Sequence, residues 1–219
     1  MHPFAQLYHF FGLNEALFLA INRHHLAVFD ALSRLGSALG NFWNFPAVAA
    51  VLIAIAAAPS WRHARRLPAA WPPRENVLRL LLVLTLGYVI AMALVGALKY
   101  GLHLPRPPAA LGAQAVRVLG HPETSGSFPS GHATFAALVA AAFWGVAGLA
   151  RRAALVAWVL WVLWVVLSRM VVGAHFPADL LAGVLCGLFS TWAAQRLLAH
   201  YARRQRGAVA RAPSRPSPR

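Results

Sequence analysis

The chain has 219 residues, of which 59% are hydrophobic and only 11% are charged, whereas soluble domains carry about 25% charged residues. This composition excludes an ordinary soluble domain and indicates a single domain that crosses a membrane several times. The net charge of +15 could suit a nucleic acid, but the arginines cluster at the ends of the hydrophobic runs, so no nucleic-acid partner is expected.

The N-terminal part of the chain is only partly apolar. Residues 1–24 mix Phe, Leu and Ile with His, Asn and Glu, which predicts an amphipathic helix lying at the membrane interface. Residues 26–39 have apolar side chains at helical spacing with polar ones between them, and we expect an interfacial or partly re-entrant helix. The first clear membrane span is predicted over residues 42–58, and a short basic loop, residues 61–74, follows it.

The remaining spans are longer and more uniformly apolar. Residues 77–98 form the second predicted span, which delivers the chain to Lys99 and to a long polar loop, residues 100–128, rich in Pro and Gly. Three further spans are predicted over residues 133–150, 153–167 and about 180–198. A short connection, residues 168–178, separates the last two. The Arg-, Pro- and Ser-rich tail, residues 201–219, is expected to be disordered.

The distribution of arginines predicts how the chain is oriented in the membrane. The 61–74 loop, Arg151-Arg152 and the basic tail fall on one side of the predicted spans, which the positive-inside rule makes cytoplasmic. Lys99, the loop after it and the 168–178 connection then lie together on the opposite side. No internal repeat is visible, so an inverted-repeat transporter gains no support.

The stretch Ser127-Phe-Pro-Ser-Gly-His132 predicts a loop that turns abruptly into a helix. Ser130 is a good N-cap, and the unpaired N–H groups and dipole of a helix start suit an anion. Gly131 allows the backbone to approach that anion closely, since it has no side chain. His132 could give or take a proton there. The alternative is a capped helix with an incidental interfacial histidine.

Three fixed cations, Lys99, Arg106 and Arg169, lie near the ends of different predicted helices on the non-cytoplasmic side. Cations at that depth are costly unless they serve an anion or a water-filled cavity. A phosphate with two negative charges is their natural ligand, and arginine matches its geometry in a bidentate way. Each cation alone could instead snorkel to the interface or cap a helix end.

His175 and Asp179 are four residues apart, and Pro177 fits the first turn of the last helix, so both side chains can lie on one face. A carboxylate in this position can hold one imidazole nitrogen protonated and leave the other free to attack. His132, on another helix, is available as the general acid. The alternative is a structural helix pair of modest value.

Acidic residues are too scarce for a metal-dependent phosphatase. The chain has only five of them, namely Glu15, Asp30, Glu75, Glu123 and Asp179. A Mg²⁺ or two-metal site needs several converging carboxylates. We therefore expect no metal ion and no other cofactor. The single cysteine, Cys186, lies in an apolar run and is given no function.

Together these segments resemble the signature of the type 2 phosphatidic acid phosphatase family, which also includes vanadium haloperoxidases. That signature is a Lys, six residues and Arg-Pro; then Pro-Ser-Gly-His; then Ser-Arg, five residues, His, three residues and Asp. The matching positions are Lys99, Arg106, Pro107, Pro129, Ser130, Gly131, His132, Ser168, Arg169, His175 and Asp179. The resemblance covers roughly residues 77–198, the predicted catalytic core of a single domain, residues 1–200.

The resemblance implies an all-α, polytopic membrane helix bundle and a phosphohistidine intermediate. Other members have a full extra span before the first clear one, so five or six spans are expected. By analogy, His175 attacks the phosphorus, Asp179 orients it, and His132 protonates the leaving oxygen. The residues implied to hold the phosphate oxygens are Lys99, Arg106, Ser130, Gly131 and Arg169.

The predicted function is a metal-independent lipid phosphatase of the bacterial inner membrane, with its site facing the periplasm or exterior. Its partners are the bilayer and a lipid bearing a terminal phosphate or diphosphate. Undecaprenyl diphosphate is the preferred substrate, because the site is placed outside the cytoplasm and Arg117 could contact a second phosphate. The alternatives are a lipid phosphotransferase, a phosphatase of lipid A, phosphatidylglycerophosphate or phosphatidic acid, and, from a different class, a transporter or non-enzymatic binder; a haloperoxidase is less favoured, because known ones are soluble.

Overall fold

The structure is a computed structural model that describes residues 8, 10–57, 73–124, 126–147 and 151–210. Within these residues the chain forms eight α-helices and no β-strand, which confirms the predicted all-α class. The helices are α1 (Leu13–Asn22), α2 (Ala27–Leu39), α3 (Phe45–Ala57), α4 (Arg74–Leu102), α5 (Pro107–Leu111), α6 (Gly131–Ala147), α7 (Arg151–Val171) and α8 (Pro177–Ala210).

Three segments of the described chain are long and apolar enough to cross a membrane, as the prediction of a membrane bundle requires. They are Arg74–Leu111, which contains α4 and α5, Ala153–Val171 in α7, and Pro177–Gly207 in α8. Helix α2 and residues 42–57 together pass the same test, although they are bent by 52°. Helix α6, with 17 residues, is shorter. The total of five or six spans stays a prediction.

The bend between α2 and α3 is stabilised by two asparagines. The carbonyl oxygen of the Asn41 side chain accepts a hydrogen bond from the backbone N–H of Trp43 at 2.9 Å. The amide of Asn44 donates to the carbonyls of Ala38 and Leu39 at 2.8 and 3.0 Å. Since the last carbonyls of a helix lack intrahelical partners, these bonds stabilise the end of α2. The joint is a broken span or a re-entrant turn, in agreement with the mixed polarity of residues 26–39.

The centre of the bundle is the crossing of α6 and α8, which is unusually close. A Cβ atom at Gly183 would lie 2.5 Å from the carbonyl oxygen of Ser130, and one at Gly187 would overlap the carbonyl oxygen of Thr134. Two glycines one turn apart therefore let the helix backbones touch, as small residues do in membrane helix pairs. This contact explains why α6 is rich in alanine, and it fixes the start of α6 against the start of α8.

Helix α1 is amphipathic, as predicted, but its buried face is not simply apolar. Asn14, Phe18 and Asn22 follow each other at four-residue spacing and are buried, whereas Leu13 and Leu17 are largely exposed. The buried face packs against α7 and α8. The predicted location of this helix at the membrane interface stays a prediction.

Two predicted boundaries are wrong. Helix α7 continues through Ser168 and Arg169 to Val171, so the connection to α8 is shorter than the predicted 168–178 segment. Helix α8 continues to Ala210, so the first ten residues of the predicted disordered tail are helical. These residues are mainly Ala, Arg and Gln, which favour helix, and extending an existing helix needs no new nucleus. The rest of the tail and most of the 61–74 loop lie outside the described residues.

The motif-bearing helix ends all meet at one end of the bundle. Lys99 lies in the last turns of α4, and His132 is the second residue of α6. Arg169 lies in the last turn of α7, and Asp179 lies in the first turn of α8. The loop between α4 and α6, with the short helix α5, covers this end. The four elements therefore build one site, whose constituents were predicted to share one side of the membrane.

Candidate active site

His175 lies in the connection between α7 and α8 and is 1% exposed. Its Nδ1 is 3.4 Å from Oδ2 of Asp179, and its Nε2 is 3.2 Å from a guanidinium nitrogen of Arg106. Because a guanidinium can only donate, Nε2 is the unprotonated nitrogen and Nδ1 carries the hydrogen. Burial, and then the positive charges of Arg106 and Arg169, lower the pKa of His175 well below its ordinary value. The imidazole is therefore neutral, with its lone pair facing the cations.

Asp179 is fully buried and is held by several donors in addition to His175. The Tyr8 hydroxyl donates to Oδ1 at 2.7 Å, the Ser127 hydroxyl donates to Oδ2 at 2.5 Å, and the backbone N–H of Phe176 donates to Oδ2 at 2.9 Å. Ser127 is the first residue of the predicted loop-to-helix stretch, but no function was predicted for it. Tyr8 carried no signal, because 171 residues separate it from its partner.

Glu123 forms a bridge between two of the predicted phosphate-binding cations. One carboxylate oxygen is 2.7 Å from Arg106, and the other contacts Arg169. Burial alone would raise the pKa of Glu123, but Arg169 and then Arg106 outweigh it and lower the pKa to about 2. The guanidinium of Arg106 also donates to the carbonyl of Ala174 at 2.9 Å. An anionic group thus lies between two buried arginines, beside the lone pair of the neutral histidine. In the sequence, Glu123 is distinguished only as one of five acidic residues.

The arginines themselves are fixed by the surrounding helices. Arg106 and Arg169 are 6% and 3% exposed, so neither can rely on bulk water for solvation. Arg169 donates to the Ser37 hydroxyl of α2 at 2.5 Å. The Nε of Arg169 is buried and has no hydrogen-bond partner among the residues that the structure describes. A buried donor of this kind favours an additional acceptor from a bound anion.

Lys99 is half-buried and lies against the loop that precedes α6. Its ammonium donates to the carbonyl of Gly126 at 2.5 Å and is 3.4 Å from that of Ser127. The ammonium has three donors, so these contacts fix its position without using its whole capacity. The structure therefore brings Lys99 to the same cavity as His175.

The start of α6 is arranged largely as its sequence predicts. The hydroxyl of Ser130 accepts a long hydrogen bond, 3.4 Å, from the backbone N–H of Ala133, which is an N-cap contact. The backbone N–H of Ser130 donates to the carbonyl of Asp179 at 3.0 Å and so ties α6 to α8. Ser130 is fully buried, whereas Gly131 and His132 line a cavity that His175 also lines. A phosphate contact of Ser130 and Gly131 stays a prediction.

Two of the cavities at the site share four lining residues: Asn41, Arg106, Glu123 and His132. The larger one, about 750 Å³, has an apolar wall between α4 and the α2–α3 joint, formed by Phe42, Trp43, Met92 and Val95. The smaller one, about 290 Å³, is more polar and is lined by Arg34, Ser37, His121 and Arg169 among others. His132 therefore lies between an apolar and a cationic compartment.

Arg117 lies elsewhere and corrects one prediction. Its guanidinium makes two hydrogen bonds to Asp30, at 2.7 and 2.8 Å, and a third to the carbonyl of His24 at 2.9 Å. It lines neither of the two cavities. The prediction that Arg117 contacts a second phosphate is therefore wrong, because a paired carboxylate on α2 already uses its donors.

The two carboxylates of the site form hydrogen bonds or ion pairs with other protein groups. Asp179 accepts from hydroxyl and backbone groups, and Glu123 is paired with guanidinium groups. In the part of the chain that the structure describes, no three His, Cys, Asp or Glu side chains form a group that could hold a metal ion.

Comparisons with known proteins show which family the chain matches and which folds resemble its own. The family model described as the PAP2 superfamily matches residues 77–203, more than half of the chain. The crystal structure of Aquifex aeolicus LpxE superposes with a TM-score of 0.62 at 24% sequence identity, covering 84% of this chain and 95% of that one. The crystal structure of a transmembrane PAP2-type phosphatidylglycerolphosphate phosphatase from Bacillus subtilis gives 0.64 at 20% identity, covering 86% of each chain. Among curated proteins, no significant match was found. At these identities the two structures establish the likeness of the fold.

Proposed function

Because this chain belongs to the PAP2 superfamily, we propose that it is an integral-membrane lipid phosphatase that uses His175 as its nucleophile and needs no metal ion. The observation that carries the proposal is the Glu123 carboxylate held between Arg106 and Arg169 beside His175. The position of this carboxylate identifies an anion-binding site. A phosphate bound at this site places its phosphorus next to the unprotonated Nε2 of His175.

In the first step the phosphate replaces Glu123 between the two arginines, and Lys99 adds a third positive charge at the edge of the site. Nε2 of His175 attacks the terminal phosphorus, and the bond from that phosphorus to the leaving oxygen breaks; in a monoester this oxygen belongs to the lipid alcohol, and in a diphosphate it belongs to the inner phosphate. His132, which is protonated once the phosphate anion has offset the neighbouring cations, gives its proton to that oxygen. Asp179 accepts a hydrogen bond from the Nδ1–H group and stabilises the positive charge that develops on the imidazole.

In the second step water releases the phosphate. His132, now neutral, takes a proton from a water molecule, whose oxygen attacks the phosphorus and breaks the bond to Nε2. The electron pair of that bond returns to His175. Arg106, Arg169 and Lys99 neutralise the equatorial oxygens in both transition states, which is the task that Mg²⁺ performs in metal-dependent phosphoryl transfer. Fixed guanidinium groups make a metal ion unnecessary for charge stabilisation.

The two cavities suggest how a lipid phosphate is held. The apolar wall at Phe42, Trp43 and Met92 suits the tail of a lipid that enters from the bilayer between α4 and the α2–α3 joint. The smaller cavity offers Arg34 to a further anionic or polar group. We take undecaprenyl diphosphate as the first substrate to test, with Arg34 in place of Arg117 as the cation that is available to its second phosphate. The site would face the periplasm or exterior of the inner membrane, in a single domain over residues 1–200.

A second candidate has its own support. The Bacillus subtilis protein is a phosphatidylglycerolphosphate phosphatase with a similar fold, so phosphatidylglycerophosphate is the alternative substrate. A phosphotransferase on the same scaffold would pass the phosphate from His175 to an acceptor lipid and not to water.

The experiment that tests the proposed function is a phosphate-release panel on the purified protein. Undecaprenyl diphosphate, phosphatidylglycerophosphate and lipid A are compared by kcat/KM under one detergent condition, with His175→Ala as the inactive control. Release from at least one lipid supports the phosphatase, and the ranking selects the substrate. Labelled phosphate that appears on an acceptor lipid would support the transferase. No release from any lipid would contradict the proposal.

A further inference from the structure

Tyr8 lies against the acid of the proposed His175–Asp179 pair. Its hydroxyl donates to Oδ1 of Asp179 at 2.7 Å, and the side chain is only 5% exposed. The ring lies edge-on to Phe128 and Phe176, with centroids 6.1 and 6.2 Å away. Burial and the adjacent carboxylate raise the pKa of Tyr8, so its hydroxyl keeps the hydrogen that it donates. The aromatic contacts fix the ring, and the ring fixes the direction of the hydrogen bond.

Helix α1 reinforces this contact at the start of α8. The side-chain oxygen of Asn14 accepts from the backbone N–H of Ala178 at 2.9 Å, which satisfies one of the unpaired donors of that helix start. Phe18, fully buried, packs edge-on against Phe176 with centroids 5.3 Å apart. Both contacts flank the residue pair that carries the proposed chemistry.

Asn22 holds the other side of the connection. Its amide donates to the carbonyls of Met170 and Val171 at 3.0 and 3.2 Å, at the end of α7. Three side chains at four-residue spacing on α1 therefore contact the chain on both sides of His175. Helix α1 therefore stabilises the connection between α7 and α8, which contains the proposed nucleophile His175.

We propose that Tyr8 is a positioning residue for the reaction, which acts by holding the Asp179 carboxylate in the orientation that aligns His175 with the phosphate. The inference rests on the proposed function. The carboxylate accepts on Oδ1 from Tyr8, and on Oδ2 from Ser127 and the N–H of Phe176. These donors come from three separate segments of the chain, so their directions determine how the carboxylate is rotated about its own axis.

Removal of the Tyr8 hydroxyl has a defined consequence. Oδ1 loses a buried donor, and the carboxylate can then rotate away from Nδ1 or compete more strongly for its hydrogen. Misalignment of Nε2 lowers kcat, whereas KM is unaffected, because Tyr8 lines neither cavity. A stronger carboxylate acceptor also raises the pKa of His175. The titratable and charged groups around His175 are Lys99, Arg106, Glu123, His132, Arg169 and Asp179.

The test compares Tyr8→Phe with Tyr88→Phe. Tyr88 is also a buried tyrosine, but it stacks on Phe45 at 4.1 Å in the centre of the bundle and serves as the matched control. In Tyr8→Phe, kcat should fall about tenfold, because one buried hydrogen bond to a charged group is lost. KM should stay within about twofold of the wild-type value. The acid limb of the kcat/KM profile should move to higher pH. Tyr88→Phe should change neither quantity.

A second variant and a measurement independent of turnover complete the test. Ser127→Ala removes another hydroxyl from the same carboxylate, and combined with Tyr8→Phe it should give less than the product of the single losses, because both act on one group. The Nδ1 proton resonance of His175, assigned by its loss in His175→Gln, should shift in Tyr8→Phe. The inference would be overturned if kcat, the pH profile and the resonance were all unchanged in Tyr8→Phe. It would also be overturned if KM rose by the same factor as kcat fell. An original protein that releases no phosphate while the resonance still shifts would instead contradict the proposed function.

Discussion

Substitution of Glu123 by glutamine is expected to tighten the binding of phosphate-like anions. In the structure the Glu123 carboxylate contacts Arg106 and Arg169 at once, and a substrate phosphate must displace it to reach both arginines. Glutamine keeps the size of the side chain and removes its charge. The variant therefore isolates the competition between the protein's own anion and the ligand.

The magnitude follows from the two contacts. A hydrogen bond to a charged group contributes about 1.5–3 kcal/mol, and the lower end applies because 38% of the Glu123 side chain is exposed. Two such bonds give about 3 kcal/mol, and a carboxamide retains about 1 kcal/mol through one neutral bond. The competition is thus weaker by about 2 kcal/mol, which corresponds to about thirtyfold tighter anion binding.

The assay is inhibition of lipid dephosphorylation by inorganic phosphate and by orthovanadate, measured with Glu123→Gln and with Glu75→Gln as the control. Glu75 lies at the opposite end of α4, so its substitution should leave both inhibition constants unchanged. Without an anion, Glu123→Gln should also unfold at a lower temperature, because two buried cations lose their partner, and added phosphate should restore more stability than in the original protein. Inhibition constants for phosphate and orthovanadate that are equal to or higher than those of the wild-type protein would refute the competition between Glu123 and the bound anion.

Three further predictions concern the chemistry and the topology. His175→Ala and His132→Ala should each lose nearly all turnover while remaining folded, since general-acid catalysis alone is worth about 10²–10⁴-fold; wild-type turnover in either variant contradicts its role. Activity should survive EDTA, and vanadate should inhibit by imitating five-coordinate phosphorus; complete loss in EDTA that Mg²⁺ reverses would contradict metal independence. In a Cys186→Ser background, an impermeant thiol reagent applied to intact cells should label a cysteine at Ala113 but not one at Ala69, and the reverse result would invert the topology.

The residues that local sequence could identify are those whose chemistry and spacing are themselves informative. His175 and Asp179 are one helical turn apart, and the Ser-Gly-His segment has the composition of a capped helix start. The structure brings these residues to one end of the bundle together with Lys99, Arg106 and Arg169. Charged residues within an apolar chain indicate a functional site, because each charge is energetically costly in a membrane.

The features that the sequence could not identify depend on contacts between distant segments. Tyr8 and Glu123 have no distinctive neighbours, and their functions follow only from which side chains they meet across the bundle. Arg117 is a residue for which the sequence predicts a function that the contacts do not support. Its position predicts a phosphate ligand, but its guanidinium forms two hydrogen bonds to Asp30 of α2. Helix α8 is longer than predicted, because Arg and Gln continue an existing helix readily although they are polar.

The central claim, that phosphate passes through His175, is tested most directly by trapping the phosphoenzyme. Lipid labelled with ³²P in its terminal phosphate is mixed with the protein for a fraction of one turnover, and the reaction is quenched in base, in which phosphohistidine survives. The account predicts base-stable, acid-labile label on the peptide that contains His175, and none in His175→Ala. Label on another residue, or turnover by His175→Ala at the original rate, would contradict it.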